Sequence, residues 1–364
     1  MTTIGLVMIV KNEESVIERA LRSAIPFISS WVIVDTGSTD NTKEIIQSVM
    51  SGIPGLLIER PWVSFGTNRS EALSFCDNRM DWAIMLDADD TMEGTVPPKE
   101  IWANAQIDAF MLHIKHGTIT HNRLQIFRTG IGWGYKGVIH EYAECSSKEK
   151  AIVAVLPDST YMMTRCEGYR SSDPNKYLND ALLLEKELLT HPNDHRILFY
   201  LAQSYRDAGH RDAATRYYRQ YIDTSGGWVQ ERYLAYTNLI LLLADSDQDE
   251  KFRLTWAAIE ICPNRLEAPY NMLRQRRILQ LPPTTQCYAI ARAIMNRKPC
   301  MGDMFAIPVI YEWGMDDELA VVAFGTKHFR ESYEASMRCV MNAPPEFQIN
   351  ALSNARLAVQ LMSG

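Results

Sequence analysis

Three acid-containing clusters carry the chemistry that can be read from this sequence: Lys11-Asn12-Glu13, Asp35-Thr36-Gly37-Ser38-Thr39-Asp40 and Asp87-Ala88-Asp89-Asp90. Each follows a short apolar run, at residues 4–10, 31–34 and 82–86. Carboxylates at the end of a buried strand are costly to leave unpaired, and a divalent cation relieves that cost. All-oxygen donors favour Mg²⁺ or Mn²⁺, and such an ion with open positions would bridge the oxygens of a diphosphate. Each cluster also has a plainer reading. The stretch from Asp35 to Asn41 has the composition of a turn and a helix N-cap. A lone D-x-D triplet is common, and Asp245-Ser246-Asp247-Gln248-Asp249 supplies a decoy. It starts like a calcium loop, but Glu250 stands where that loop needs Gly and Trp256 where it needs a bidentate Glu, so it reads as a solvated loop between helices.

The elements that must position these clusters repeat one pattern up to Asp87. Apolar runs at 4–10, 31–34, 56–58 and 82–86 alternate with helix-period stretches at 15–24, 42–50 and 67–75. Alternation of this kind predicts a mainly parallel sheet covered on both faces. Ligands of such sheets bind beyond the carboxyl ends of the strands, where the three clusters stand.

Taken in order, Ile9-Val10-Lys11-Asn12-Glu13, Val34-Asp35-Thr36-Gly37-Ser38-Thr39-Asp40-Asn41-Thr42 and Leu86-Asp87-Ala88-Asp89-Asp90 resemble the large inverting glycosyltransferase family with the GT-A fold, family 2. The resemblance implies an α/β, Rossmann-like domain that binds a nucleotide-sugar, UDP-linked as a first expectation, with Mn²⁺ or Mg²⁺. Position by position, it places Glu13 and Asp35 against the nucleoside, with Asp35 near the base edge. Val10, Asn12, Ser38 and Ala88 belong to the same nucleotide-sugar set. Arg69, in Phe65-Gly66-Thr67-Asn68-Arg69, would approach the nucleotide, Asp87 would face the ribose or the metal, and Asp89 would ligate the metal.

Most members of that family place an acidic pair, Glu then Asp, well after the D-x-D; none occurs here between Asp90 and Arg170. The nearest equivalent is the Arg-rich run Asn122-Arg123-Leu124-Gln125-Ile126-Phe127-Arg128 followed by Trp133-Gly134-Tyr135-Lys136-Gly137-Val138-Ile139-His140-Glu141. It is similar to a branch of the family in which such a strand leads to a loop ending in His-Glu. Neighbouring side chains on extended backbone alternate, so His140 and Glu141 are expected to do different work. Glu141 is the candidate general base and His140 a candidate for the metal or diphosphate side; a structural histidine and a carboxylate paired with Arg123 or Arg128 are the alternatives. Trp133 and Tyr135 are candidates to stack on a sugar or base on the acceptor side. Gly130-Ile131-Gly132-Trp133-Gly134 lacks the strand–turn–helix context of a dinucleotide loop and reads as a tight turn.

After Arg165 strand signals nearly vanish. Residues 168–174 read as a linker, and Leu198-Phe199-Tyr200-Leu201-Ala202-Gln203-Ser204-Tyr205 with Ala208-Gly209-His210, Ala213-Ala214 and Tyr217-Tyr218 resembles a tetratricopeptide unit. Pro192-Asn193 and Pro263-Asn264 repeat at about twice that unit's ~34-residue period. The expected organisation is 1–165 transferase domain, 166–280 tetratricopeptide-like repeats and 281–364 helical cap. The arginines at 206, 211, 216, 219, 274, 276 and 277 alternate with acids and predict a salt-bridged solvated face, with a phosphate-tracking groove as the alternative.

Composition narrows the partners. With 46% hydrophobic and 22% charged residues the chain is globular, and 37 Lys plus Arg against 44 Asp plus Glu give a formal charge of −7. That balance argues against simply coating nucleic acid or an anionic membrane. A peptide, protein or glycan acceptor, chosen by the helical part, is favoured over a hydroxylated base in DNA, and the repeats allow self-association. No basic leader and no run long enough for a spanning helix are present in this sequence. Seven scattered cysteines without a C-x-x-C pair predict free thiols in a reducing, cytoplasmic setting. The competing functions are an inactive transferase-like scaffold and a nucleotidyltransferase.

Overall fold

The computed structural model describes residues 2–117, 119–295, 297 and 304–362. The chain divides into two compact units, Met1–Pro192 and Asn193–Gly364. The first is built on strands β1 (Ile4–Val10), β2 (Ser30–Asp35), β3 (Gly55–Glu59), β4 (Trp82–Met85), β5 (Thr91–Gly94), β6 (Ala109–His116), β7 (Ile119–Arg128), β8 (Trp133–Lys136), β9 (Tyr142–Cys145), β10 (Val153–Val155) and β11 (Thr160–Met163). The main sheet runs β3-β2-β1-β4-β7-β6-β11-β5, with β10 on β6, while β8 and β9 form a separate hairpin. Strands β3, β2, β1 and β4 are mutually parallel, and β7 then enters antiparallel to both β4 and β6. The chain is thus an α/β domain on a mainly parallel sheet, as expected, followed by helices.

The alternation of β1 explains the two-faced core. Leu6, Met8 and Val10 pack with Ile17 and Leu21 of helix α1 (Ile17–Ala24) and Ile46 of α2 (Thr42–Val49). Val7, of opposite parity, packs with Ala72 and Leu73 of α3 (Phe65–Ser74) on the other face. A strand buried on both sides needs a nearly continuous apolar run, and Ile-Gly-Leu-Val-Met-Ile-Val supplies it. The fourth helix, α4 (Lys99–Trp102), brings the Trp102 ring against Trp82 and Phe110.

Asp108 is buried just before β6. Its Oδ1 accepts from Lys148 Nζ at 2.5 Å and its Oδ2 from the Ile152 N–H at 2.8 Å. Burial pushes this carboxyl up, but the Lys148 and Ile152 hydrogen bonds and the nearby cations outweigh it, so it lies below its ordinary value. A carboxyl lowered in this way adds stability above its unfolded-state value, and that stability is lost as pH falls through the folded one. Asp108→Ala should therefore cost about 1–3 kcal/mol at neutral pH in urea unfolding, with the difference from wild type shrinking in acid.

Helix α5 (Lys176–Thr190) belongs to the first unit. In the second, α6 (His195–Asp207), α7 (Arg211–Asp223), α8 (Val229–Leu242), α9 (Gln248–Ile261) and α10 (Glu267–Ile278) pack against their chain neighbours. Their succession is consistent with helical repeats. Ala202 and Ala214 are the small buried residues of the first pair, whereas Ala213 is only half-buried. The 245–249 stretch lies in the loop and first turn at α9, and Asp245 pairs with Lys251. Most of the arginines singled out above are clamped: Arg206 on Asp207, Arg219 on Glu250, Arg277 on Asp317, and Arg211 on the carbonyls of Leu242 and Leu243. That is the salt-bridged reading of these helices. Residues Ile310–Gly314 form a π-helical turn. Cys76, Cys145, Cys287 and Cys339 are free and buried and Cys166 is free and exposed; Cys262 is buried, and Cys300 lies outside the described residues. No helix among the described residues is long and apolar enough to cross a membrane.

Candidate active site at the strand ends

The first two clusters interlock through side chain to backbone bonds. Asn12 takes a left-handed backbone, φ 54°, which lets its N–H reach Ser38 Oγ at 2.9 Å while its Oδ1 accepts from Thr39 N–H at 2.8 Å. Glu13 N–H donates to Thr42 Oγ1 at 2.8 Å, and Thr36 N–H returns to the Val10 carbonyl. Asp35, 1% exposed, accepts the Gly37 and Ser38 N–H groups on Oδ1, each at 2.9 Å. Its Oδ2 is buried and has no partner among the described residues. The turn reading of 35–41 is therefore right as far as Oδ1 goes, and leaves the second oxygen to something else. Ala88 is buried and, with Val10, belongs to the core beneath the site.

Helix α3 delivers Arg69. Ser64 Oγ caps it by accepting from Thr67 N–H at 3.1 Å, and Asn68 Oδ1 holds the N–H groups of Val63 and Ser64. Gly66 allows the hairpin loop to lie on the helix, since a Cβ there would sit 2.3 Å from the Gly137 carbonyl. Ser70 Oγ accepts from Tyr135 N–H at 2.7 Å, fixing β8 to α3. Gly137, φ 101°, and His140, φ 52°, then turn the chain so that His140 is exposed and Glu141 points inward with 8% of its side chain exposed. The two do point apart, although Glu141 stands in the loop before β9 and not at the end of a sheet strand.

Arg69 sits between two carboxylates. One terminal nitrogen lies 2.7 Å from Glu141 Oε1 and the other pairs with Asp87. Arg123 approaches Asp87 at 3.7 Å and Asp90 at 3.4 Å. Burial pushes the Asp87 carboxyl up, but Arg69 and Arg123 together hold it below its ordinary value. Asp90 goes the other way, raised by burial and then by Asp87. The partner of Glu141 is thus Arg69 and neither arginine suggested by the sequence: Arg128 is spent on the carbonyls of Ile107 and Asn104 and on the Trp82 ring. Arg69, expected to approach the nucleotide, has its charge matched by two protein carboxylates.

Glu13 and Asp89 share a different neighbour. Gly168 N–H donates to Asp89 Oδ2 at 3.0 Å and Tyr169 N–H to Glu13 Oε2 at 3.1 Å. Burial raises the Glu13 carboxyl to about 7; the Tyr169 N–H lowers it, and Asp89, Asp40 and Asp87 add to the rise. Among the described residues no Lys or Arg pairs with Glu13 or Asp89. The segment expected to be only a linker therefore closes over two of the site's acids. Backbone donors have no sequence signature beyond the glycine, whose Cβ would lie 3.2–3.3 Å from Glu13 and Asp89 oxygens.

The surroundings of the aromatic and His140 candidates are defined as well. Trp133 and Tyr135 share a face of β8 and pack against the core around Phe127, with Trp133 Nε1 donating to the Asp108 carbonyl at 3.3 Å. Their rings face the core because residues two apart on a strand share a side and this hairpin lies over α3. His140 is exposed, and no group of three or more His, Cys, Asp or Glu side chains placed to hold a metal occurs among the described residues.

With the geometry in place, comparison with known proteins is informative for the first unit. Residues 6–99, which carry all three clusters and Arg69, match the family model described as Glycosyl transferase family 2. This segment is similar to glycosyltransferases of that family. It is 34% identical over 92 residues to "Uncharacterized glycosyltransferase RT0209" of Rickettsia typhi, covering 25% of this chain and 30% of that protein. It is also 31% identical over 83 residues to "Lipopolysaccharide core biosynthesis glycosyltransferase LpsC" of Rhizobium meliloti, covering 22% and 30%. The match spans under a third of the length of these curated relatives. Among solved structures, S. aureus TarS 1-349 in complex with UDP superposes with a TM-score of 0.38 at 14% identity, over 90% of this chain and 92% of that one.

Proposed function

We propose that the protein is a metal-dependent inverting glycosyltransferase that moves a sugar from a UDP-sugar to a large acceptor selected by its helical unit. The observation that carries the reading is the unsatisfied Asp35 Oδ2, buried where β1 and β2 end. An orphaned buried carboxylate oxygen calls for a donor, and the ring N–H of uracil is one. Asp87 and Asp89 lie across the same sheet end, with β4 adjacent to β1.

The donor chemistry fits a hard divalent cation at Asp89. Such ions keep waters and take one or two carboxylates together with substrate phosphates, so a full protein cage is not required. The Glu13 carboxyl is raised by its burial first and then by the charges of Asp89, Asp40 and Asp87, and no Lys or Arg among the described residues pairs with it. Asp89 would hold the ion, with Glu13 beside it; His140 is not needed. When bound, the cation neutralises charge on the departing diphosphate. Glu141 takes the proton from the acceptor hydroxyl as its oxygen bonds to the anomeric carbon, while the bond to UDP breaks with its electron pair on the diphosphate. One displacement from the opposite face inverts that carbon.

Calorimetric titration with UDP, GDP and CDP, with and without Mn²⁺, tests the reading. UDP should bind at least about tenfold more tightly with the metal, and more tightly than CDP, whose ring nitrogen at the corresponding edge carries no hydrogen. Absence of nucleotide binding would leave the scaffold reading. Binding of UTP in strong preference to UDP would favour nucleotidyl transfer.

A further inference from the structure

Arg69 is the most constrained charged group of the site that the proposed chemistry has not used. We infer that it is a positioning residue: it holds Glu141 in place and is itself anchored by Asp87, an inference that rests on the transferase reading and on Glu141 as its base.

Four observations converge. The guanidinium is 12% exposed, and its two terminal nitrogens are divided between Glu141 and Asp87. It lies 5.8 Å from the Phe65 ring centre and 5.7 Å from that of Tyr135, so aromatic walls limit its movement. The helix carrying it is tied to the loop carrying Glu141 by Ser70 on Tyr135 N–H and by Phe65 N–H on the Val138 carbonyl. Burial alone would pull its proton off more easily, but Asp87 and Glu141 more than reverse this, so its charge is fixed at every working pH. A cation matched by two protein carboxylates has little left for a diphosphate.

The planar fork is what makes the arrangement work. A guanidinium presents separate N–H groups in fixed directions and spans two carboxylates that a single ammonium point charge cannot hold in the same geometry. Asp87 shares the cation with Glu141, so Glu141 is oriented without facing the whole positive charge. The pair lies 72 positions apart in the chain and is joined only by the folding of α3 under the hairpin.

The test is a double-mutant cycle on the full chain, reading UDP release from UDP-glucose and UDP-N-acetylglucosamine with Mn²⁺, alongside UDP affinity by calorimetry. Arg69→Met should lower turnover about 100-fold and leave UDP affinity within about threefold. In the Glu141→Gln background the same change should cost less than about threefold, because the group it positions is already gone. Arg69→Lys, which retains charge, should keep the fold by near-UV circular dichroism yet recover only a small part of turnover, and millimolar guanidinium should partly restore Arg69→Met. Costs that multiply in the double variant, or UDP affinity that falls in step with turnover, would overturn the inference and return Arg69 to the nucleotide. Wild-type protein that released no UDP from either donor and bound none would overturn the transferase reading and the inference together.

Discussion

Glu141→Gln should lower UDP-sugar turnover by about 10²–10⁴-fold while UDP and metal binding stay near wild type. The substitution is nearly isosteric and keeps a hydrogen-bond acceptor toward Arg69, so the loop between β8 and β9 is not forced to move. What disappears is the capacity to take a proton. The measurement is initial-rate UDP release at saturating donor and Mn²⁺, paired with calorimetry for UDP. A variant with near wild-type turnover would assign the base elsewhere, and Asp90 would be the next residue to change. Asp90 is buried and raised by its surroundings, and it shares Arg123 with Asp87. The salt bridge bears on the size of the effect. A base held by a cation is already in the orientation that the reaction needs.

Much of this site was legible before the fold, and the reason lies in the strands. Residues 4–10, 31–34 and 82–86 are short, continuously apolar and followed at once by acids, and no other element type produces that pattern as economically. The structure places these strands at Ile4–Val10, Ser30–Asp35 and Trp82–Met85. The Asn12, Ser38 and Asp35 bonds follow from local turn chemistry that the residue types announce. Pairings across long sequence separations were not legible. Arg123 and Arg128 stood nearer to Glu141 in the chain than Arg69 did, yet the antiparallel entry of β7 beside β4 sends Arg128 to the far end of the sheet, opposite Trp82. Trp133 and Tyr135 had the spacing of a strand with one aromatic face, but period-two alternation cannot say which face meets the core. The strap over Glu13 and Asp89 donates from backbone, so nothing in the side chains of 168–169 marked it.

Asp89→Asn should abolish the metal-dependent part of UDP binding. Titrated with Mn²⁺, the variant should bind UDP no more tightly than wild type does in chelator, a loss of about tenfold or more that adding metal does not recover. Asn keeps an oxygen that can accept the Gly168 N–H seen at 3.0 Å, so the strap contact survives and the change reads out charge. Asp35→Asn supplies the contrast. On the proposed reading, in which the unpartnered Oδ2 takes the uracil N–H, it would weaken UDP binding with and without Mn²⁺ alike. Removing the Asp89 charge also removes one of the influences that hold Glu13 near 7, so the Glu13 carboxyl in the variant should titrate lower, by carbon-detected NMR, than in wild type. The same change in both carboxylates without any effect on metal dependence would mean that the acids of this sheet end balance one another through protons and the strap alone. Selective loss of metal dependence in Asp89→Asn, with its retention in Asp35→Asn, separates the site into a cation half and a base-reading half, as the partners of the two carboxylates require.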